Sequence, residues 1–252
     1  MEVPKNIFQT WKTSIIPGKW HEAQTSVIKK NPKWRYILLT DEDNLNIVSK
    51  YFPDFLPYYK SFKHNIQRAD AIRYIVMYLY GGIYLDLDYI CLKSFDLLTF
   101  NYGSNYEVGL IPSNNTQSIF TNSFIISKPK SVFWLKCIDE MKKPSLWRYV
   151  SKHMEVFNTT GPFMINRVAN RYKHLVQKLS NVSIPCNICY LESCKIVKGH
   201  EEYFIKPIEG NSWHSWDSKI MNFIYCLNLK HIIIVLMLII IFYHFSIVRK
   251  KQ

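Results

Sequence analysis

Hydrophobic and polar positions along this chain follow two rhythms. Between Asn65 and Tyr80, the residues Ile72, Ile75, Val76 and Leu79 recur at i, i+3, i+4 and i+7, the stripe of one helix face. At about 100° per residue, Asp70, Arg73 and Met77 fall on the opposite side of that helix. Gly81-Gly82 then ends it, because glycine readily takes the left-handed conformation a helix C-terminus favours. The rhythm switches to period two in Ile83-Tyr84-Leu85-Asp86-Leu87-Asp88. Ile83, Leu85 and Leu87 face one way, and Tyr84, Asp86 and Asp88 face the other.

The flanking segments extend this pattern. Asn6 to Trp11 reads as a strand running into a loop, and Trp20 to Lys30 as a helix stopped by Asn31-Pro32. Trp34 to Leu39 reads as a second strand, followed by a turn at Asp41-Glu42-Asp43. Two strand–helix steps so early predict an α/β layering. Further strands are expected over Glu107–Ile111 and Ser123–Ser127, and helices over Ser131–Met141 and Phe163–Leu179. Ser183 to Pro207 reads as irregular chain with short strands.

The C-terminal end has a different texture. Ile232 to Val248 is apolar except for Tyr243, His244 and Ser246, and Arg249-Lys250-Lys251 follows. A spanning helix needs roughly 17–25 apolar residues, so the run reads as a single C-terminal transmembrane helix at the short limit, with a buried helix as the alternative. The expected organisation is one folded domain over residues 1–220 and a membrane anchor with a basic tail over 221–252. The start, Met1 to Lys5, shows no signal peptide. That points to a cytosolic domain, whereas the terminal basic cluster points to a lumenal one, and the side of the membrane stays open.

Composition narrows the classes. Hydrophobic residues at 48% supply a sizeable core, which excludes wholesale disorder. The formal net charge of +13 would suit nucleic acid or an anionic membrane. The Lys and Arg residues are dispersed, however, and no nucleic-acid partner is expected; the charge also suits a nucleoside-diphosphate donor. Six cysteines permit disulfides without demanding them. Cys186, Cys189, Cys194 and His200 would allow a zinc clip on a binding module, although their spacing matches no known zinc motif.

Two carboxylates on one face at a strand end repel each other unless a cation sits near them. Asp86 and Asp88 hold that position, where α/β sheets gather their ligands. Their hard oxygens suit Mg²⁺ or Mn²⁺, which in turn grip diphosphate oxygens. The competing assignments are a solvent-facing strand end and a phosphohydrolase of the haloacid-dehalogenase type. The latter pattern usually continues to Thr or Val, whereas Tyr89-Ile90 follows here.

Taken together, Arg68-Ala69-Asp70-Ala71-Ile72-Arg73-Tyr74 and Leu79 through Asp88 resemble the core signature of glycosyltransferase family 32. Val3 to Trp11, Asn122-Ser123-Phe124, Ser127-Lys128-Pro129, Thr160-Gly161-Pro162 and Trp213-His214-Ser215-Trp216-Asp217 follow in that family's order. The resemblance implies a GT-A type fold with a mixed central sheet flanked by helices, and retaining hexose transfer with Mn²⁺ or Mg²⁺. It also implies a nucleotide-sugar donor (GDP-mannose favoured, a UDP-sugar as the alternative) and a lipid or glycan acceptor such as inositol-phosphoceramide. The placement implied is a Golgi or endoplasmic-reticulum membrane. Carried over by position, Trp11 would flank the base, Asp70 and Arg73 would bind sugar and diphosphate, and Asn122 would line the sugar pocket. Asp86 and Asp88 would hold the metal and Arg73 would assist catalysis. His214 and Trp216 would close over the donor, with His214 a metal or phosphate ligand. Each has a plainer reading: Trp11 as core, Asp70–Arg73 as an ordinary i,i+3 pair, His214 as a structural residue.

Overall fold

The computed structural model describes residues 3–100, 106–113, 119–146, 150–184, 202–208, 210, 216–226 and 237. Its strands are β1 (Asn6–Thr10), β2 (Arg35–Leu39), β3 (Gly82–Leu85), β4 (Tyr89–Cys91), β5 (Val108–Pro112), β6 (Phe120–Ser127), β7 (Val176–Lys178) and β8 (Ile205–Pro207). The helices are α1 (His21–Lys30), α2 (Asp41–Tyr51), α3 (Leu56–Ser61), α4 (Asn65–Tyr80), α5 (Asp96–Phe100), α6 (Val132–Met141), α7 (Lys152–Thr159), α8 (Pro162–Arg171) and α9 (Trp216–Cys226).

Six strands form one mixed sheet in the order β2-β1-β3-β6-β5-β7. β1 runs parallel to β2 and β3, β6 is antiparallel to β3 and β5, and β7 is parallel to β5. β4 and β8 make a separate antiparallel pair. Both sheet faces are covered. Tyr84, Ile125 and Leu110 join Ile72, Ile75, Trp134, Met164 and Ile165 in one core. Ile83, Leu85, Phe124 and Ile126 join Val27, Phe95 and Ile205 in another. All four residues of β3 are therefore buried, as expected of a strand covered on two sides.

Three local readings change. Asp41-Glu42-Asp43 is the first turn of α2, because Thr40 Oγ1 accepts from the Asp43 amide at 3.1 Å while Asp43 Oδ2 accepts from the Thr40 amide at 2.9 Å. That capping box places acids where the helix dipole favours them. The helix expected over Phe163–Leu179 stops at Arg171, and Val176–Lys178 turns to pair with β5. The opposite side of α4 is also interior: Asp70, Arg73 and Met77 are all buried, since α4 packs against the sheet and α6 together.

Among the described residues, no helix is long and apolar enough to cross a membrane. Apart from Met237, the run Ile232–Val248 lies outside the described residues, as do Cys186, Cys189, Cys194, His200 and His214. α9 runs continuously through positions 220 and 221, where the sequence suggests a division.

Candidate active site

A cavity of about 450 Å³ opens at the carboxyl ends of the parallel strands β1 and β3. Thr10, Trp11 and Lys12 reach it from the end of β1, and Asp86, Leu87 and Asp88 from the exit of β3. The first turns of α4 bring His64, Asn65, Ile66 and Ala69, with Arg73 behind them; Lys63, Lys152 and Gly210 also line the space. The β3 exit is fixed by its entry. Gly81 (φ 60°) caps α4, and at Gly82 (φ 105°) a Cβ would lie 2.9 Å from Asn6 Cβ, so only glycine admits β1 this close.

A buried chain of polar side chains stands behind the cavity wall. Asp70 accepts two hydrogen bonds, from Asn122 Nδ2 (2.9 Å) on Oδ1 and from the Thr160 hydroxyl (2.9 Å) on Oδ2, and its Oδ1 forms an ion pair with Arg73 Nη2 at 3.1 Å. Arg73 donates to the carbonyls of Ala69 and Asn122 and, at 3.5 Å, to Asp86 Oδ2, with Asp86 Oδ1 3.3 Å away in the same ion pair. Its guanidinium lies 4.6 Å from the Tyr84 ring centre, and the Tyr84 hydroxyl donates to Asp86 Oδ1 at 2.8 Å. Burial opposes the charge on Arg73, but Asp86, Tyr84 and Asp70 outweigh it and push its pKa up. Burial also lifts the Asp70 carboxyl to about 6 against the pull of Arg73, Thr160 and Asn122. The i,i+3 pair is thus a desolvated one whose parts hold each other in place.

Asp88 differs from both. Its carbonyl accepts the Ile208 amide at 2.8 Å, yet its side-chain Oδ1 is buried without a hydrogen-bond partner. Burial, then the neighbouring Asp86 charge, raises its carboxyl to about 7; burial raises Asp86 too, opposed by Arg73 and Tyr84. An orphaned carboxylate oxygen beside a second carboxylate, both facing one cavity, is the donor set a hard divalent cation requires. Mn²⁺ or Mg²⁺ fits these two residues. Among the described residues no group of three His, Cys, Asp or Glu side chains stands ready to hold a metal.

The residues singled out by sequence separate into layers. Trp11, Arg73, Asp86 and Asp88 line the cavity, and Trp11 meets Trp20 edge-to-face at 4.7 Å. Asp70 and Asn122 sit one shell further in, where Asn122 donates to Asp70 and to the Tyr74 hydroxyl. Trp216 is exposed at the start of α9 and does not line the cavity. Sequence reasoning misses Lys12, Lys63 and Lys152, three cations converging from separate segments, and Gly210 against Asp88. No local pattern marks them. Tyr84 was signalled by sharing the period-two face of Asp86, and Thr160 by its Thr-Gly-Pro triplet.

Comparison with known proteins bears on this site. Residues 17–107, which include both aspartates, match the model of the glycosyltransferase sugar-binding region containing the DXD motif. The chain is 32% identical over 220 residues to the mannosyl phosphorylinositol ceramide synthase CSH1 of Saccharomyces cerevisiae, covering 87% of this chain and 55% of that protein. It is 32% identical over 225 residues to inositol phosphoceramide mannosyltransferase 2 of Schizosaccharomyces pombe, covering 87% and 60%. The chain therefore spans little more than half the length of these relatives. In fold it resembles the PaToxG glycosyltransferase, with a TM-score of 0.52 at 20% identity over 67% of this chain and 69% of that one. Motif, similarity along most of the chain and a shared fold agree: the chain belongs to the glycosyltransferases whose sugar-binding region carries the DXD motif.

Proposed function

We propose that this protein is a metal-dependent retaining glycosyltransferase that moves mannose from GDP-mannose to the headgroup of an inositol-phosphate sphingolipid. The observation that carries the reading is the buried, unpartnered Asp88 Oδ1 beside Asp86, in a cavity that Trp11 enters from the other strand end. The choice of mannose and of acceptor rests on the names of the relatives alone.

Held by Asp86 and Asp88, Mn²⁺ or Mg²⁺ would neutralise the diphosphate that leaves the sugar. The chain's own residues prepare the rest. Arg73, fixed by Asp70 and Asn122, holds Asp86 in one orientation, so the carboxylate does not reorganise as the sugar–phosphate bond breaks. Trp11, braced by Trp20, offers a flat face to the base. Lys12, Lys63 and Lys152 make the cavity attractive to phosphate. In retaining transfer the acceptor hydroxyl bonds to the anomeric carbon from the side of the leaving group. The bond to the diphosphate oxygen breaks, and a departing phosphate oxygen takes the hydroxyl proton.

The test is hydrolysis of GDP-mannose, UDP-glucose, UDP-galactose and UDP-N-acetylglucosamine by the purified protein with Mn²⁺. Release of GDP from GDP-mannose is expected to vanish with chelator and to fall about 10³-fold or more in Asp88→Ala, several kcal/mol of barrier. Full turnover by that variant overturns the reading, and preference for a UDP-sugar overturns the donor assignment.

A further inference from the structure

α9 carries two different faces. Asp217 and Ser218 are buried against α7, where Asp217 Oδ2 accepts the His153 amide at 2.7 Å and the Ser218 hydroxyl meets His153 Nδ1 at 2.9 Å. Trp216, Ile220 and Phe223 recur at i, i+4 and i+7 on another face and are 74%, 49% and 67% exposed. Just before α7, Leu146 and Val150 are exposed by 84% and 63%. Val150 lies three positions before His153 and Trp216 one before Asp217, so the His153–Asp217 bond ties the two segments together. Leaving three large apolar groups in water on one helix face, with two more on the chain that enters the helix it packs against, is unusual for a monomeric protein and marks a docking surface.

We infer that this side lies on an anionic phospholipid bilayer, with α9 in the interface and its Trp216–Ile220–Phe223 stripe toward the acyl chains. Charge selects this occupant. Lys142, Lys143 and Lys152 stand in and beside this segment, Lys142 and Lys143 also pairing with Asp139 and Glu140 at its start, and exposed Lys219 borders the stripe. Cations beside exposed aromatic and aliphatic groups suit a negatively charged headgroup layer. The chain's course agrees: α9 ends at Cys226, and the apolar run from Ile232 to Val248 begins six positions later. Because Lys152 both opens α7 and lines the cavity, such docking brings the mouth of the donor site to the membrane surface.

Hydroxyl-radical footprinting of the full chain in nanodiscs of phosphatidylcholine and phosphatidylserine, one copy per disc, tests this without any turnover. It is therefore independent of the proposed reaction. Leu146, Val150, Ile220 and Phe223 should be oxidised roughly fivefold more slowly than Ile28, Leu45 and Leu97, exposed residues outside this surface, because lipid excludes water from them. The double variant Ile220→Ser/Phe223→Ser, checked for folding by its melting curve, should lift the protection of Leu146 and Val150. Equal oxidation of the two sets overturns the inference. Protection that arises only with two copies per disc also overturns it and assigns the face to a second copy of the chain.

Discussion

Replacing Gly210 by alanine separates metal placement from stability. A Cβ at Gly210 would penetrate Asp88 Oδ2 and stand 2.8 Å from Asp88 Cγ. The group in the way is the end of a side chain, and Gly210 has no positive φ, so the backbone can stay where it is. The carboxylate must swing instead, at about 0.5–1.5 kcal/mol for an off-rotamer side chain. Alanine recovers roughly 0.4–1 kcal/mol by narrowing the unfolded ensemble. The two nearly cancel, and the melting temperature should move by no more than about 4 °C at this size. Catalysis has no such compensation, because relieving the overlap displaces the ligand oxygen by about 1 Å, a misplacement that costs on the order of 10²-fold in rate. Gly210→Ala should therefore keep its stability, lose about two decades of donor hydrolysis and need more Mn²⁺ for half-maximal rate. Unchanged rate and Mn²⁺ midpoint would refute the placement of Asp88. So would a loss of several kcal/mol of stability, which would mean that backbone, not the carboxylate, is struck.

Three further substitutions probe the surroundings. Thr160→Val removes a buried donor from Asp70 and should lower stability at neutral pH by about 1–3 kcal/mol in urea titrations. Asp70 titrates near 6 when folded and in the ordinary carboxylate range when unfolded. Stability linked to it is therefore full at low pH and declines by roughly 3 kcal/mol as pH rises through 6. Losing the Thr160 hydrogen bond deepens that decline, so the variant's deficit should be larger at pH 7.5 than at pH 4; a constant deficit would contradict an ionised Asp70. Gly82→Ala should cost about 3 kcal/mol or more by pushing β1 away from β3, read as an earlier unfolding midpoint. Trp11→Ala should raise KM for the donor roughly 10-fold or more while leaving kcat within a few-fold, since stacking on a base is worth about 1–3 kcal/mol; a kcat effect alone would place Trp11 elsewhere.

How much of this was legible follows from the range of the forces involved. The α4–Gly81–Gly82–β3 unit was readable because its determinants are local: a helix stripe, a positive-φ cap and a period-two strand lie within twenty-five residues. The same stripe gave no sign that Asp70 and Arg73 face the interior, because their partners Asn122 and Thr160 come from segments 52 and 90 positions away. Val176–Lys178 shows the converse failure. Its helical rhythm loses to pairing with β5, a tertiary gain that no local window contains. The lysines of the cavity were invisible for the same reason, each being an ordinary surface residue until the fold brings it to the β-strand ends.

The charge count of the site explains why its binding and its folding are linked. Asp70, Asp86 and Asp88 lie close together around a single buried guanidinium, and that guanidinium contacts only two of them. The other side chains that bond to Asp70 and Asp86, namely Asn122, Thr160 and Tyr84, are neutral, and Asp88 Oδ1 receives no hydrogen bond. A core would not keep an unpaired carboxylate oxygen for stability, since apolar packing of the same volume would serve the fold better. The arrangement makes sense if the third carboxylate is left for a cation arriving with the donor. Ligand then supplies the hydrogen bonds and charge the protein withholds, so Mn²⁺ together with a nucleoside diphosphate should stabilise the folded state more than the sum of either alone.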